Sequence, residues 1–187
     1  MSEAYLLDTN AISALADANH SGHVPVRQRF QQVDPQFVLL PTMAVAEIEF
    51  GMARAANIKP EKREELRRFI DRFEQLPFDQ NCVRPYSLVR AELWRMHGTG
   101  RQRGRHFVYN ERHPEQLCEK VTGVELGIDE PDLIIASIAI AQNLVLVTND
   151  TRSGMDRVKE AAEKVYRDGL FPIQLRTENW LATNVGN

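Results

Sequence analysis

The chain of 187 residues is 43% hydrophobic and carries a formal net charge of −3, which suits one soluble globular domain with its own core and excludes a general electrostatic pull toward nucleic acid. Two cysteines, Cys82 and Cys118, are too few for a disulfide framework or a metal-ligand pattern, so free thiols in a reducing cytoplasm are expected. The start MSEAYLLDTN lacks the make-up of a signal peptide, and no apolar run is long enough to span a bilayer, which predicts a cytoplasmic protein with no membrane partner.

Tyr5-Leu6-Leu7 reads as a short buried strand that runs into Asp8-Thr9-Asn10, with Ala11 to Ala16 helical beyond it. A carboxylate therefore stands where a strand gives way to a helix, although an Asp there is also an ordinary N-cap. Asp17 to Pro25 is a polar loop holding His20 and His23, whose spacing alone is weak ground for a metal site. Val26 to Val33 is predicted as a short helix. After the Asp34-Pro35 turn, Phe37 to Leu40 is predicted as a second strand, stopped by Pro41. Thr42 is an expected N-cap for the helix TMAVAEIEFGMARAA. Glu47 and Glu49 both fall inside it among apolar residues, and periodicity does not choose which one faces the interior.

Pro60 opens a charged helix expected to reach Gln75, with Leu66, Phe69, Ile70 and Phe73 as its apolar stripe. Leu76 to Phe78 reads as a strand and Val83 to Met96 as a helix. Residues 98–128 are irregular and arginine-rich: Arg101, Arg103, Arg105 and Arg112 alternate with Phe107 and Tyr109, a mixture that could hold phosphates and stack on bases. This insert leads into Asp129, Glu130 and Asp132. Leu133 to Ala141 has no polar side chain but Ser137, so it predicts a helix with no solvent face. Asn143 is an expected C-cap, Leu144 to Val147 an interior strand, and Thr148-Asn149-Asp150 the turn at its carboxyl end. Gly154 to Tyr166 reads as a helix and Gly169 to Leu175 as a closing edge strand, with Trp180 in a short tail.

Two buried strands that each end in an acid, Asp8 and Asp150, point to one acidic crevice at the carboxyl end of a parallel sheet. Asp132 and Glu47 are further candidates. Several carboxylates in a small, partly dehydrated pocket need positive charge among them, and a hard divalent cation such as Mg²⁺ takes oxygen ligands while keeping waters. Such equipment suits phosphodiester hydrolysis. No GxxxxGK[ST], GxGxxG or CxxC pattern competes.

LLDTN at Leu6 to Asn10, AEIEFG at Ala46 to Gly51, DLIIASIAIA at Asp132 to Ala141 and LVLVTND at Leu144 to Asp150 resemble the ordered motifs of PIN-domain nucleases, most closely the VapC-type ribonuclease toxins. The resemblance implies a three-layer α/β/α sandwich around a central parallel sheet, one or two Mg²⁺ or Mn²⁺ ions, and cleavage of single-stranded or structured RNA. Carried over motif by motif, it makes Asp8, Glu47, Asp132 and Asp150 the catalytic and metal-binding acids, with Asn10 and Thr148 in support, and so favours Glu47 over Glu49. It further implies a homodimer and a cognate antitoxin. The chain is longer than a minimal toxin of this kind, the excess falling in the helix near residues 60–75 and the insert near 98–128 of what is expected to be a single PIN-like domain. Phosphatases of the haloacid dehalogenase type and receiver domains fit less well, since Asp8 is followed by Thr9-Asn10. A catalytically silent PIN-fold RNA- or protein-binding module is the alternative function.

Overall fold

A computed structural model describes residues 3–55, 57–149 and 154–181. The chain divides into two compact units, one of Met1–Phe78, Leu144–Asn149 and Arg176–Asn187, the other of Asp79–Asn143 and Asp150–Leu175.

The first unit is built on a parallel five-stranded sheet. Strand β1 (Tyr5–Leu7) is followed by helices α1 (Thr9–Ala16) and α2 (His23–Phe30), strand β2 (Val38–Pro41), helices α3 (Thr42–Arg54) and α4 (Pro60–Ile70), and strand β3 (Glu74–Leu76). After the second unit's helices the chain returns to the sheet as β6 (Val145–Val147) and β7 (Arg176–Glu178), giving the order β3-β2-β1-β6-β7. β1 lies at the centre, with Leu6 opposite Leu39 of β2 and Leu7 opposite Val147 of β6. Its three residues and those of β6 are all buried, which is why these strands read as short, continuous apolar runs. Each fully buried leucine here, such as Leu6, Leu7, Leu40 or Leu146, contributes about 1.5–3 kcal/mol. Trp180 packs back, 3% exposed, with its ring 5.0 Å from that of Tyr5.

The second unit holds α5 (Gln80–His97), a hairpin of β4 (Gly100–Arg103) and β5 (His106–Tyr109), then α6 (Glu130–Ala141) and α7 (Gly154–Arg167). α5 packs along both α6 and α7. In α6, Leu133 and Ile135 through Ile140 are all buried, as expected of a helix without a polar face, and Ser137 satisfies its hydroxyl by donating to the Leu133 carbonyl at 2.6 Å. The hairpin turns at Gly104-Arg105, where Gly104 has φ +60°, a conformation glycine adopts without strain. Beyond it Leu117, Leu126 and Ile128 are buried and anchor the segment that leads into α6. Gly154, at the start of α7, abuts the Gly127 carbonyl so closely that a Cβ would lie 2.1 Å from its oxygen.

The parallel sheet and the helices between its strands bear out the α/β expectation and are consistent with a three-layer α/β/α sandwich. Several local expectations are corrected. α2 begins at His23, not Val26, with Pro25 tolerated in its first turn. β2 includes Pro41, and that residue, not Thr42, takes the N-cap position of α3, with no side-chain cap bond. α4 ends at Ile70, and the following Glu74–Leu76, not Leu76 to Phe78, pairs with β2. The C-cap of α6 is Gln142; Asn143 is the next residue, in the left-handed conformation at φ 54°. The expected strand over Gly169 to Leu175 is absent, and Arg176–Glu178 pairs with β6 instead, clear of Pro172, which has no N–H to give to a ladder. The insert expected to be irregular contains the β4–β5 hairpin.

Candidate active site

Parallel pairing of β1 with β6 sets the geometry at the carboxyl edge of the sheet. The Asp8 N–H donates to the Val147 carbonyl at 3.0 Å, carrying the ladder one step past β1 and placing Asp8 beside Thr148. Asp8 has extended backbone (φ −73°, ψ 173°) and serves as N-cap of α1, its carboxylate accepting from the Ala11 N–H at 2.6 Å. The residue is only 7% exposed. A carboxylate survives such burial because the open N–H groups and dipole of the helix N-terminus favour negative charge.

Glu47 is tied to the same edge by Thr9, whose hydroxyl donates to its Oε2 at 2.5 Å. Glu49, two residues along α3, takes a bidentate ion pair with Arg67 of α4, both bonds 2.8 Å. Hydrogen bonding from that guanidinium holds the Glu49 carboxyl below its ordinary pKa. The two glutamates therefore have separate partners: Glu49 makes an interhelix pair, and Glu47 turns toward the end of β1.

Thr148 is buried at the end of β6, its N–H donating to the Glu178 carbonyl at 2.9 Å. Next to it, the Asn149 Oδ1 is buried and has no hydrogen-bond partner among the described residues, which leaves an acceptor for a hydrogen-bond donor or a cation. Asn10 is exposed in the first turn of α1. Thr9 and Asn149 are site residues that sequence reasoning passed over. The signal was available, since each is the neighbour of a candidate acid within the triplets DTN and TND.

In the second unit Asp132 lies half-buried in the first turn of α6, which Asp129 opens as N-cap. A carboxylate there is favoured by the helix dipole. Glu130, its neighbour but one, is bound: Arg90 pairs with it at 2.9 Å, and the Tyr86 hydroxyl donates to it. Burial, and then the bond to Glu130, push the Tyr86 hydroxyl above its ordinary pKa. Arg101 and Arg103 lie on β4, Arg105 in the hairpin turn and Arg112 just after β5, all four exposed. Asp150 lies outside the described residues.

Among the described residues no group of three His, Cys, Asp or Glu side chains forms a metal cluster. What the first unit offers is oxygen: the buried Asp8 carboxylate, Glu47 and the orphaned Asn149 amide. That donor chemistry fits a hard divalent cation. His20 Nδ1 accepts from the Gly22 N–H at 3.0 Å and His23 Nδ1 lies 2.9 Å from the Ala14 carbonyl, and among the described residues neither belongs to a group of three His, Cys, Asp or Glu side chains that could hold a metal.

Comparison with known proteins agrees with this architecture. The PIN domain family model matches residues 5–161. Among solved structures, FitAcB from Neisseria gonorrhoeae is similar with a TM-score of 0.61 at 20% identity, over 96% of this chain and 99% of that one. VapBC2 from Rickettsia felis, bound to a DNA fragment from its promoter, is similar with a TM-score of 0.55 at 22% identity, over 94% and 98%. DNA-bound VapBC from Salmonella typhimurium gives 0.57 at 21%, over 96% and 99%. No curated protein is significantly similar to the sequence. Likeness at these identities speaks for the fold alone, whereas the family model spans most of the chain, including the strand ends that carry Asp8 and Thr148. The chain belongs to the PIN domain family.

Proposed function

We propose that this protein is a metal-dependent endoribonuclease that hydrolyses phosphodiester bonds of single-stranded RNA and acts as the toxin of a toxin–antitoxin pair. The observation that carries the reading is the buried Asp8 carboxylate at the end of the central strand, with Glu47 tied beside it by Thr9 and Thr148 at the adjacent strand end. A buried acid held in a set of oxygen donors, in a chain of the PIN domain family, is the equipment of metal-assisted phosphodiester hydrolysis. The toxin part of the reading rests on similarity of fold to structures of toxin–antitoxin complexes, the VapBC proteins among them.

In this reading Asp8 and Asp132 are the principal ligands for one or two Mg²⁺ or Mn²⁺ ions, Glu47 is a ligand or base, and Asp150 completes the set. A divalent cation, when bound, supplies a water of lowered pKa and charge neutralisation at the leaving oxygen. The chain's own residues do the rest. The Ala11 N–H fixes the orientation of Asp8, the Thr9 hydroxyl fixes Glu47, and Asn10 and Thr148 support the acids. A homodimer and a cognate antitoxin complete the proposal. Among the described residues no helix is long and apolar enough to cross a membrane.

The test is cleavage of labelled single-stranded RNA by wild-type protein and Asp8→Asn, first in EDTA and then with Mg²⁺ or Mn²⁺ restored. Metal-dependent cleavage by the wild type alone supports the nuclease. RNA binding by both proteins with cleavage by neither would leave a catalytically silent binding module as the function.

A further inference from the structure

We infer that a groove in the second unit, between α5 and the base of the β4–β5 hairpin, is a subsite for a single-stranded RNA segment, with Arg112 meeting phosphate and Tyr109 stacking on a base. The inference rests on the proposed nuclease reading for its choice of nucleic acid. The groove has a volume of about 570 Å³ and is lined by Tyr86, Arg90, Trp94, Arg95, Tyr109 and Arg112. Three guanidinium groups and three aromatic rings facing one space combine the two contacts an unpaired strand offers, phosphate charge and exposed base faces.

Its walls are fixed by bonds within the unit. The Arg90 guanidinium lies over the Trp94 ring at 5.0 Å and the Tyr86 ring at 5.6 Å, and donates to the Arg112 carbonyl at 3.1 Å. The Trp94 indole N–H donates to the Glu111 carbonyl at 3.1 Å, fastening the foot of the hairpin to α5. Arg90 is neutralised by Glu130 and Arg95 by the buried Glu92. Among the described residues the Arg112 side chain has no carboxylate partner, which leaves it as the lining cation open to a phosphate. Through Glu130 the groove reaches the first turn of α6, two residues from Asp132.

The hairpin register divides the arginines that sequence alone groups together. Tyr109 pairs with Gly100 and Phe107 with Gln102, so Phe107 and Tyr109 share one face, their rings 5.0 Å apart. Arg101 pairs with Val108 and Arg103 with His106, which puts both arginines on the opposite face. The face that meets the groove is the aromatic one.

Binding read by fluorescence anisotropy in EDTA, on the full chain carrying Asp8→Asn, separates this proposal from the cleavage reading, because neither metal nor catalysis enters the signal. The probe is a fluorescein-labelled single-stranded RNA on the order of a dozen nucleotides long, with its duplex for comparison. The single strand is expected to bind more tightly than the duplex. Tyr109→Leu is expected to lose about tenfold in affinity while Tyr109→Phe retains it. Arg112→Ala is expected to lose about three- to tenfold and to flatten the salt dependence by about 0.7 in log–log slope, whereas Arg167→Ala, a control on α7 outside the groove lining, matches the parent. Thermal melts of each variant exclude unfolding as the cause. The proposal is overturned if the parent binds neither RNA, if Tyr109→Leu and Arg112→Ala bind like the parent, or if Arg101→Ala/Arg103→Ala together cost as much as Arg112→Ala.

Discussion

Asp8 is asked to do two things, to cap α1 and to hold charge at the sheet edge, and two substitutions separate them. Asparagine keeps an oxygen where Oδ1 accepts the 2.6 Å bond from Ala11 and removes only the charge. Alanine removes the acceptor as well and leaves a buried N–H without its partner. Loss of an N-cap costs about 0.5–2 kcal/mol, and a buried unsatisfied donor about 1–3 kcal/mol. The two figures describe largely the same loss, so about 2 kcal/mol is expected for Asp8→Ala. In a chain of this size 1 kcal/mol moves the melting temperature by about 2–4 °C, and Asp8→Ala should therefore melt about 4–8 °C below wild type. Asp8→Asn should stay within about 2 °C of it. Both should lose at least about 100-fold in RNA cleavage, since disturbing even the partners of a metal ligand costs about 10–100-fold. Differential scanning fluorimetry in EDTA, with cleavage assayed in parallel, reads both quantities. The reasoning is refuted if Asp8→Ala melts with the wild type, or if Asp8→Asn falls as far as Asp8→Ala.

Thr9→Val removes the hydroxyl that orients Glu47. A bond to a charged group is worth about 1.5–3 kcal/mol, so Thr9→Val should melt about 3–12 °C below wild type, and cleavage should fall about 10- to 100-fold, as for loss of a metal ligand's partner; an unchanged rate would show that Glu47 needs no such support. Glu49→Gln breaks the ion pair with Arg67, which is partly exposed at both ends and so worth at most about 1 kcal/mol. Cleavage by Glu49→Gln should match the wild type while Glu47→Gln loses it, and the reverse ranking would exchange their roles. His97 closes α5 with a buried Nε2 that has no partner among the described residues. Burial, and then the charge of Arg157, lower its pKa from the ordinary 6.5. Between the lowered value and 6.5 the unfolded chain holds more protons than the folded one, so this contribution to stability is complete above pH 6.5 and is lost as the pH falls below it. Melting curves between about pH 7.5 and about pH 5.5 should show a larger fall for wild type than for His97→Gln, and equal falls would remove His97 from the account.

The parts of the fold that could be read in the sequence are those whose side chains are buried. β1, β6 and the body of α6 announce themselves as apolar runs because nearly all of their side chains are buried. β3 and β7 do not. Glu74–Leu76 and Arg176–Glu178 are polar, exposed or half-buried edge strands, held by backbone pairing to β2 and β6, and backbone pairing leaves no periodicity to read. The hairpin was hidden for the same reason, since none of its residues from Gly100 to Val108 is buried. At the site, Asp8 was legible from its place at a strand end. The choice between Glu47 and Glu49 was not, because local spacing cannot show that Arg67, 18 residues further along, captures Glu49.

The contact of Gly154 with the Gly127 carbonyl has no side chain on either side of it. Side-chain drift at the surface cannot loosen such a joint; only a new Cβ can. The buried anchors Leu117, Leu126 and Ile128 stand with it, between the exposed hairpin and the start of α6. Everything from Thr99 to Glu111 is thereby a cassette, free to lengthen, shorten or be exchanged while the turn that bears Asp132 keeps its seat. Rewriting this one hairpin changes the Tyr109 side of the groove and leaves Arg112 and the α5 wall as they are.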